Sequence, residues 1–181
     1  IRIFTPRMEL PFAGHPSVGA AWAALDAGLV REHDGRLVQE CAAGLLPVRI
    51  RRQGDRLLPA VRSPAARPVD APAPGWLAGD RVWGAARGAL PPALWNNGPD
   101  WWLLELADEA AVRTLRPDQA AIAALPGSGK LAVFARADAG DGADLVVRAF
   151  APGVGIAEDP ATGSVNASRT APHACGDGTA A

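Results

Sequence analysis

The sequence predicts an α+β protein, and three observations carry that expectation. Strand-like runs outnumber helical ones, their order is not a regular βαβ alternation, and the two ends of the chain carry two copies of one Gly/Pro-rich loop. A length of 181 residues suits either one large domain or two small lobes.

In chain order, Ile1-Arg2-Ile3-Phe4 reads as a strand and is followed by a loop with Pro6, Pro11 and Gly14. Pro16 to Leu25 reads as a helix, with Pro near its first turn and Gly28 at its end. Its small and apolar residues run nearly all round, so it is expected to be buried. Arg36 to Cys41, Leu45 to Arg51 and Arg56 to Val61 are strand-like, and the turns at Gly44 and Gln53-Gly54-Asp55 make them an antiparallel meander. Ser63 to Gly75 is rich in Pro and Ala and reads as a semi-rigid crossover between lobes. Beyond it, Trp101 to Leu106 is a strand, Ala107 to Leu115 a short helix, and Pro117 to Leu125 a second helix opened by its proline. Lys130 to Arg136 and Ala143 to Phe150 are strands around the Asp138 to Gly142 turn. From Arg169 to Ala181 neither helical nor strand periodicity is present.

Composition narrows the class. Apolar residues are 49% and charged residues 20%, as in a soluble protein with a packed core. A net charge of −1 gives no electrostatic case for nucleic acid or an anionic membrane. No apolar run is long enough to span a bilayer, and no leader segment stands at the start. Cys41 and Cys175 lack metal-ligand spacing and are too few for a disulfide scaffold, so a reduced, cytoplasmic protein is expected. All but one of the basic residues are Arg, and Ala, Gly and Pro abound, as a GC-rich coding sequence would give. His33 and His173 are isolated and predict no metal site. Arg49, Arg51 and Arg52 read as a solvated strand face. The tryptophans Trp76, Trp83, Trp95, Trp101 and Trp102 read as core or interface packing, because no basic stripe accompanies them.

The repeat is specific. Arg2-Ile3-Phe4-Thr5-Pro6 and Arg148-Ala149-Phe150-Ala151-Pro152 share Arg-x-Phe-x-Pro. Glu9 and Glu158 follow those prolines by three and six residues, and each opens the pattern Glu-x-Pro-x-x-Gly-[His/Ser]. The simple reading is a duplication, with a strand, a loop and a helix start in each lobe; the plain alternative is two well-formed turns before helices. The chemistry favours the first. Backbone N–H groups at a helix start are unpaired and hold carboxylates and developing enolates, and Gly14 and Gly163 let a ligand approach the backbone closely. Glu9 and Glu158 are expected to tether the loops.

The stretch from Arg2 to Pro16, including Glu9-Leu10-Pro11-Phe12-Ala13-Gly14-His15, together with Glu158-Asp159-Pro160-Ala161-Thr162-Gly163-Ser164, resembles the PhzF-like family of phenazine-biosynthesis isomerases. Gly98-Pro99-Asp100-Trp101-Trp102 and Arg116-Pro117-Asp118 also look like landmarks of that family, and the resemblance covers roughly residues 1 to 168. It implies a diaminopimelate-epimerase-like fold: two pseudo-symmetric lobes, each a curved, mostly antiparallel sheet around a central helix, with the site between them. The lobes are expected at residues 1–66 and 67–181. The resemblance further implies a homodimer without metal or organic cofactor, which moves a proton between carbons of a small carboxylic acid. The catalytic positions it implies are His15, Asp159 and Ser164, and the substrate-binding ones Gly14, Pro16, Thr162 and Gly163.

Two departures bear on activity. The family carries a catalytic Glu upstream of the Arg-x-Phe-x-Pro strand, and this chain begins after that point. It also continues past Gly-Ser with a substantial helix, which Pro172 and Gly176 would end early here. The sequence therefore leads one to expect no isomerase turnover and low stability of this chain alone, and a tail altered by truncation or a frameshift. A non-catalytic remnant that binds a small acid or a partner subunit is the second reading. A Ser-His-Asp hydrolase is disfavoured, because the nucleophile elbow is missing and Asp159 and Ser164 share one loop.

Overall fold

The computed structural model describes residues 1–5, 8–127, 129–138, 140 and 142–169. Pro6, part of the turn after Asp138, and the tail with Pro172, His173, Cys175 and Gly176 lie outside the described residues. Strands β1 (Ile3–Phe4) and β2 (Glu9–Leu10) form a short antiparallel pair that leads into helix α1 (Gly14–Asp26). Pro16 stands in the first turn, where its missing N–H forfeits no helical bond. Gly28 closes the helix at φ +67°, its N–H donating to the Leu25 carbonyl at 3.1 Å.

Next, β3 (Arg36–Cys41), β4 (Gly44–Gln53) and β5 (Arg56–Val61) make the expected antiparallel meander. Alternation along β4 turns Leu46, Val48 and Ile50 inward and leaves Arg49 and Arg51 exposed; Arg52, exposed beside them, pairs with Glu32 at 2.8 Å. Helix α1 lies on this sheet, Ala21 packing with Val48 and Ile50, while Gln39 Nε2 donates to the buried Ser17 Oγ at 2.9 Å. The expectation of a helix buried nearly all round does not hold: Trp22 is 45% exposed, on the side of α1 away from the sheet that Ala21 packs against.

The Pro-rich crossover is not structureless. Its residues Arg67–Val69 form β6, the edge strand of a second sheet, where Pro68 breaks no ladder by lacking an N–H. After α2 (Gly75–Ala78) and the small hairpin β7 (Arg81–Val82) and β8 (Ala85–Ala86) come β9 (Ala93–Asn96) and β10 (Asp100–Glu105). Helices α3 (Glu109–Thr114) and α4 (Gln119–Ala123) then carry the chain over to β11 (Leu131–Arg136). Asp108 caps α3 by accepting from Ala111 N–H, and Asp118 caps α4 by accepting from Ala120 and Ala121. Pro117 thus stands just before the cap and does not open the helix. The chain closes with β12 (Leu145–Ala151), a 3-10 turn at Pro152–Val154, β13 (Ile156–Asp159) and α5 (Gly163–Arg169).

The second sheet has the order β13-β12-β11-β10-β9-β6 and is antiparallel except at β10–β11. That one parallel step requires a long crossover, which α3 and α4 supply. Both faces of this sheet are covered, which is why Trp101 to Leu104 and Leu131 to Ala135 are unbroken apolar runs. Trp102, Leu104, Leu131 and Val133 face Val112, Leu115 and Ile122 of the crossover. Trp101, Leu103, Ala132 and Ala149 face the other way, toward Val165 of α5. The fold is α+β, as expected, and the described tryptophans of the sheet (Trp95, Trp101, Trp102) are core residues.

Candidate active site

The repeat is geometric as well as textual. Arg2 grips Glu9 through two hydrogen bonds of 3.0 and 2.7 Å, and its guanidinium lies 4.8 Å over the Phe4 ring. Arg148 grips Glu158 through bonds of 2.7 and 2.9 Å and lies 4.9 Å over Phe150. Each Arg-x-Phe strand is thereby clamped to the strand that delivers a loop and a helix start, so the two Glu residues tether the loops. Arg148 adds bonds to the Val112 and Leu115 carbonyls, fixing β12 to the end of α3. The paired arginine holds the Glu158 carboxyl below its ordinary range, chiefly by hydrogen bonding. A depressed carboxylate stabilises the fold above the unfolded pKa, and that contribution is lost as pH falls through the folded value. Glu158→Gln is therefore expected to lower stability at neutral pH by less than about 1 kcal/mol, since the pair is partly exposed. Urea melts should show the wild-type advantage shrinking once the pH drops below the ordinary Glu range.

These clamps bring the starts of α1 and α5 face to face. A Cβ built on Gly14 would lie 3.1 Å from Gly163 Cα, and one on Gly163 would lie 3.2 Å from Gly14 Cα. Neither glycine has a positive φ, so what the contact demands is space. Gly14→Ala should therefore destabilise: overpacking costs about 1–3 kcal/mol, which outweighs the roughly 1 kcal/mol that Ala gains over Gly inside a helix. Gly19→Ala in the same helix, where a Cβ meets nothing within 4 Å, should stabilise instead. Opposite signs in thermal melts are the check.

Beside this contact lies a cavity of about 250 Å³. Most of its wall is apolar, from Ile3, Leu10, Phe12, Val154 and Ile156 among others, and few polar side chains converge on it: Thr5, His15, Lys130, Asp159 and Ser164. That is the usual build of a small-molecule site. Six of the seven positions singled out in the sequence (His15, Asp159, Ser164, Gly14, Pro16 and Gly163) line it. Thr162 does not; it faces an adjoining groove with Pro160 and Asn166, its Oγ1 buried without a partner.

Each polar group is positioned by an identifiable contact. His15 Nδ1 lies 3.0 Å from the Ala161 carbonyl, across the two halves of the repeat. A carbonyl only accepts, so Nδ1 carries the proton and Nε2 of the neutral ring is the basic nitrogen. Asp159 was expected in a loop but ends strand β13, where pairing with Ala149 turns it to the α5 face of the sheet. Its Oδ1 accepts from Ala161 N–H at 3.2 Å, so one residue of loop is held by both His15 and Asp159. Ser164 is buried in the first turn of α5; its Oγ accepts from Trp101 Nε1 at 3.0 Å, and its carbonyl accepts from Asn97 Nδ2 at 2.6 Å. Trp101, Asn97 and Lys130 were not foreseen at the site. Gly98 and Pro99, conspicuous in the sequence without a role, belong to the same wall: Pro99 lines the cavity, and a Cβ on Gly98 would come 3.1 Å from Phe12 Cβ. Among the described residues no cluster of His, Cys, Asp and Glu could hold a metal ion, and no helix is long and apolar enough to cross a membrane.

Two helix starts meeting at a glycine pair, each delivered by an Arg–Glu-clamped strand and flanked by its own sheet, define an α+β protein of the epimerase-like kind. The chain belongs to the phenazine biosynthesis-like (PhzF-like) family, which matches residues 1–171. It is 35% identical over 170 residues to a trans-2,3-dihydro-3-hydroxyanthranilate isomerase of Pseudomonas aeruginosa, covering 91% of this chain and 55% of that protein. It is 36% identical over 168 residues to an uncharacterized isomerase of the same organism, covering 93% of this chain and 58% of the other. Among solved structures it resembles a phenazine biosynthesis protein of Bacillus anthracis (TM-score 0.68, 19% identity, 91% of this chain and 57% of that one). A predicted epimerase of Pseudomonas aeruginosa gives a TM-score of 0.63 at 27% identity, over 91% and 57% of the two chains. The chain thus spans little more than half the length of the curated relatives it matches.

Proposed function

We propose that the protein acts as an isomerase of a small carboxylic acid, moving a proton from one carbon to another without a metal or organic cofactor. The observation that carries this reading is that His15 and Asp159, from opposite halves of the repeat, line one small and largely apolar cavity. In the proposed step His15 Nε2 takes a proton from a carbon activated by the acid. The proton passes from Nε2 to the Asp159 carboxylate, which delivers it to another carbon and is left as it began, so both residues are restored and the formula of the substrate is unchanged. Ser164 Oγ and the backbone N–H groups in the first turn of α1 steady the negative charge that develops between the two transfers. The apolar wall keeps water from competing for the proton.

The name of the Pseudomonas aeruginosa relative suggests a hydroxylated cyclic amino acid as substrate class. The test is to incubate the protein with trans-2,3-dihydro-3-hydroxyanthranilate in deuterated water and follow deuterium entering the ring by NMR. In a protein that also carries the upstream segment with the family's catalytic Glu, exchange at a ring carbon together with a changed double-bond pattern is the expected result, whereas the 181-residue chain alone is expected to bind the acid without exchange. No exchange in that longer protein, with the substrate still bound, would overturn the enzyme reading in favour of a binding protein for such acids.

A further inference from the structure

The chain has 18 basic residues of the Lys/Arg type, of which one, Lys130, is lysine. That single lysine is 5% exposed, whereas the arginines that pair with Glu9, Glu32 and Glu109 keep more than half of their side-chain surface in water. It stands one residue before β11. The parallel register that sets Trp102 beside Leu131 therefore sets Lys130 beside Trp101, on the face of the sheet that looks toward α5. Its Nζ lies 5.4 Å from the centroid of the Trp101 ring, the same ring whose N–H holds Ser164 Oγ.

Lys130 is also the one Lys or Arg on the wall of the cavity among the described residues. Among the described residues its ammonium forms no ion pair and donates no hydrogen bond. A buried ammonium without a hydrogen-bonded partner is unfavourable unless something completes it. Burial presses its pKa below the ordinary lysine value, and its surroundings counter that in part. The indole face attracts a cation, and Asp100 and Asp159 oppose the loss of charge that burial alone would favour.

We propose that Lys130 is the carboxylate-binding residue of this cleft, its ammonium forming the ion pair with the substrate's acid group at the Trp101–Ser164 end. The inference rests on the small-acid reading above and adds to it which residue reads the acid and which way the substrate lies. With the carboxylate at Lys130, the carbon skeleton extends along the apolar wall toward His15.

One lysine makes the test direct, because protein labelled with ¹³C,¹⁵N-lysine shows a single side-chain ammonium resonance. Anthranilate serves as the acid probe, and anthranilamide, of the same shape but uncharged, as its control. The wild-type chain is expected to bind anthranilate in preference to anthranilamide, and anthranilate alone should shift the Lys130 resonance. Lys130→Met, which keeps the apolar stem, should weaken anthranilate binding roughly thirtyfold or more, the scale for truncating one partner of a buried charge pair. Its anthranilamide affinity should stay near the wild-type value, and Lys130→Arg should recover part of the loss. A preference for anthranilate that survives Lys130→Met overturns the assignment while leaving the small-acid reading intact. Failure of the wild-type chain to bind either probe overturns that reading and the assignment with it. Should Lys130→Met not fold, the resonance decides: a signal unmoved by saturating anthranilate overturns the role of Lys130.

Discussion

Replacing His15 by Asn in the protein that carries the upstream segment should slow proton exchange on the substrate by two to four orders of magnitude, the range for losing a positioned general base. Asn is the informative choice, because its amide N–H falls close to where Nδ1–H donates to the Ala161 carbonyl. The loop between Asp159 and Gly163 then stays tied while Nε2 is gone. His15→Ala removes both the base and the tie. If turnover in the Asn variant stays within a factor of a few of wild type, His15 is a strut between the halves of the repeat and not a participant in the chemistry. A measurement of kcat and KM separates the cases further: loss of the base lowers kcat, whereas a loosened loop raises KM as well.

The largest effect on stability is expected at Trp102. It is fully buried between the sheet and the α3–α4 crossover, and its Nε1 donates to the Pro126 carbonyl at 3.0 Å. Trp102→Ala should cost about 3–5 kcal/mol, the range for emptying an aromatic site in a packed core. Trp102→Phe keeps most of the volume but orphans the carbonyl, for about 1–3 kcal/mol. Trp22→Ala, on the open side of α1, should change stability by about 0.5 kcal/mol or less. Urea denaturation at fixed pH ranks the three, and a Trp22 effect as large as that of Trp102 would mean that the face of α1 away from the sheet is covered after all.

What the sequence revealed was local or repeated. The β3–β4–β5 meander was legible because its turns sit at Gly44 and Gly54 and its side chains alternate. The paired loops were legible because the same residues occur twice, and the contacts of Arg2 and Arg148 show why those residues recur together. Strands β6, β9 and β13 were missed. Each has four residues or fewer, too short for a period to register, and Pro68 reads as a break even though an edge strand accepts it. The burial expected of α1 was inferred from composition, but composition says only that a face can be buried, not that a neighbour exists to bury it.

At the site, His15, Asp159 and Ser164 were found because they sit inside the repeat. Trp101, Asn97 and Lys130 were not, because their places depend on strand pairings between distant segments. Trp101 reads equally well as core, and it is core; only the direction of its N–H joins it to Ser164. Lys130 did leave a trace, as the one basic residue that is not arginine, but nothing local says that a residue before a strand lies against a cavity.

The glycine pair has a consequence for descent. On the duplication reading of the repeat, each half was free to change its turns, its strand lengths and its surface, and the sequences around Gly14 and Gly163 differ accordingly. The point of contact allows no such independence. A side chain gained at either position presses on the backbone of the other, so neither can change without cost to the contact they share. The two copies are in this sense separate lineages that still share one atom-sized appointment.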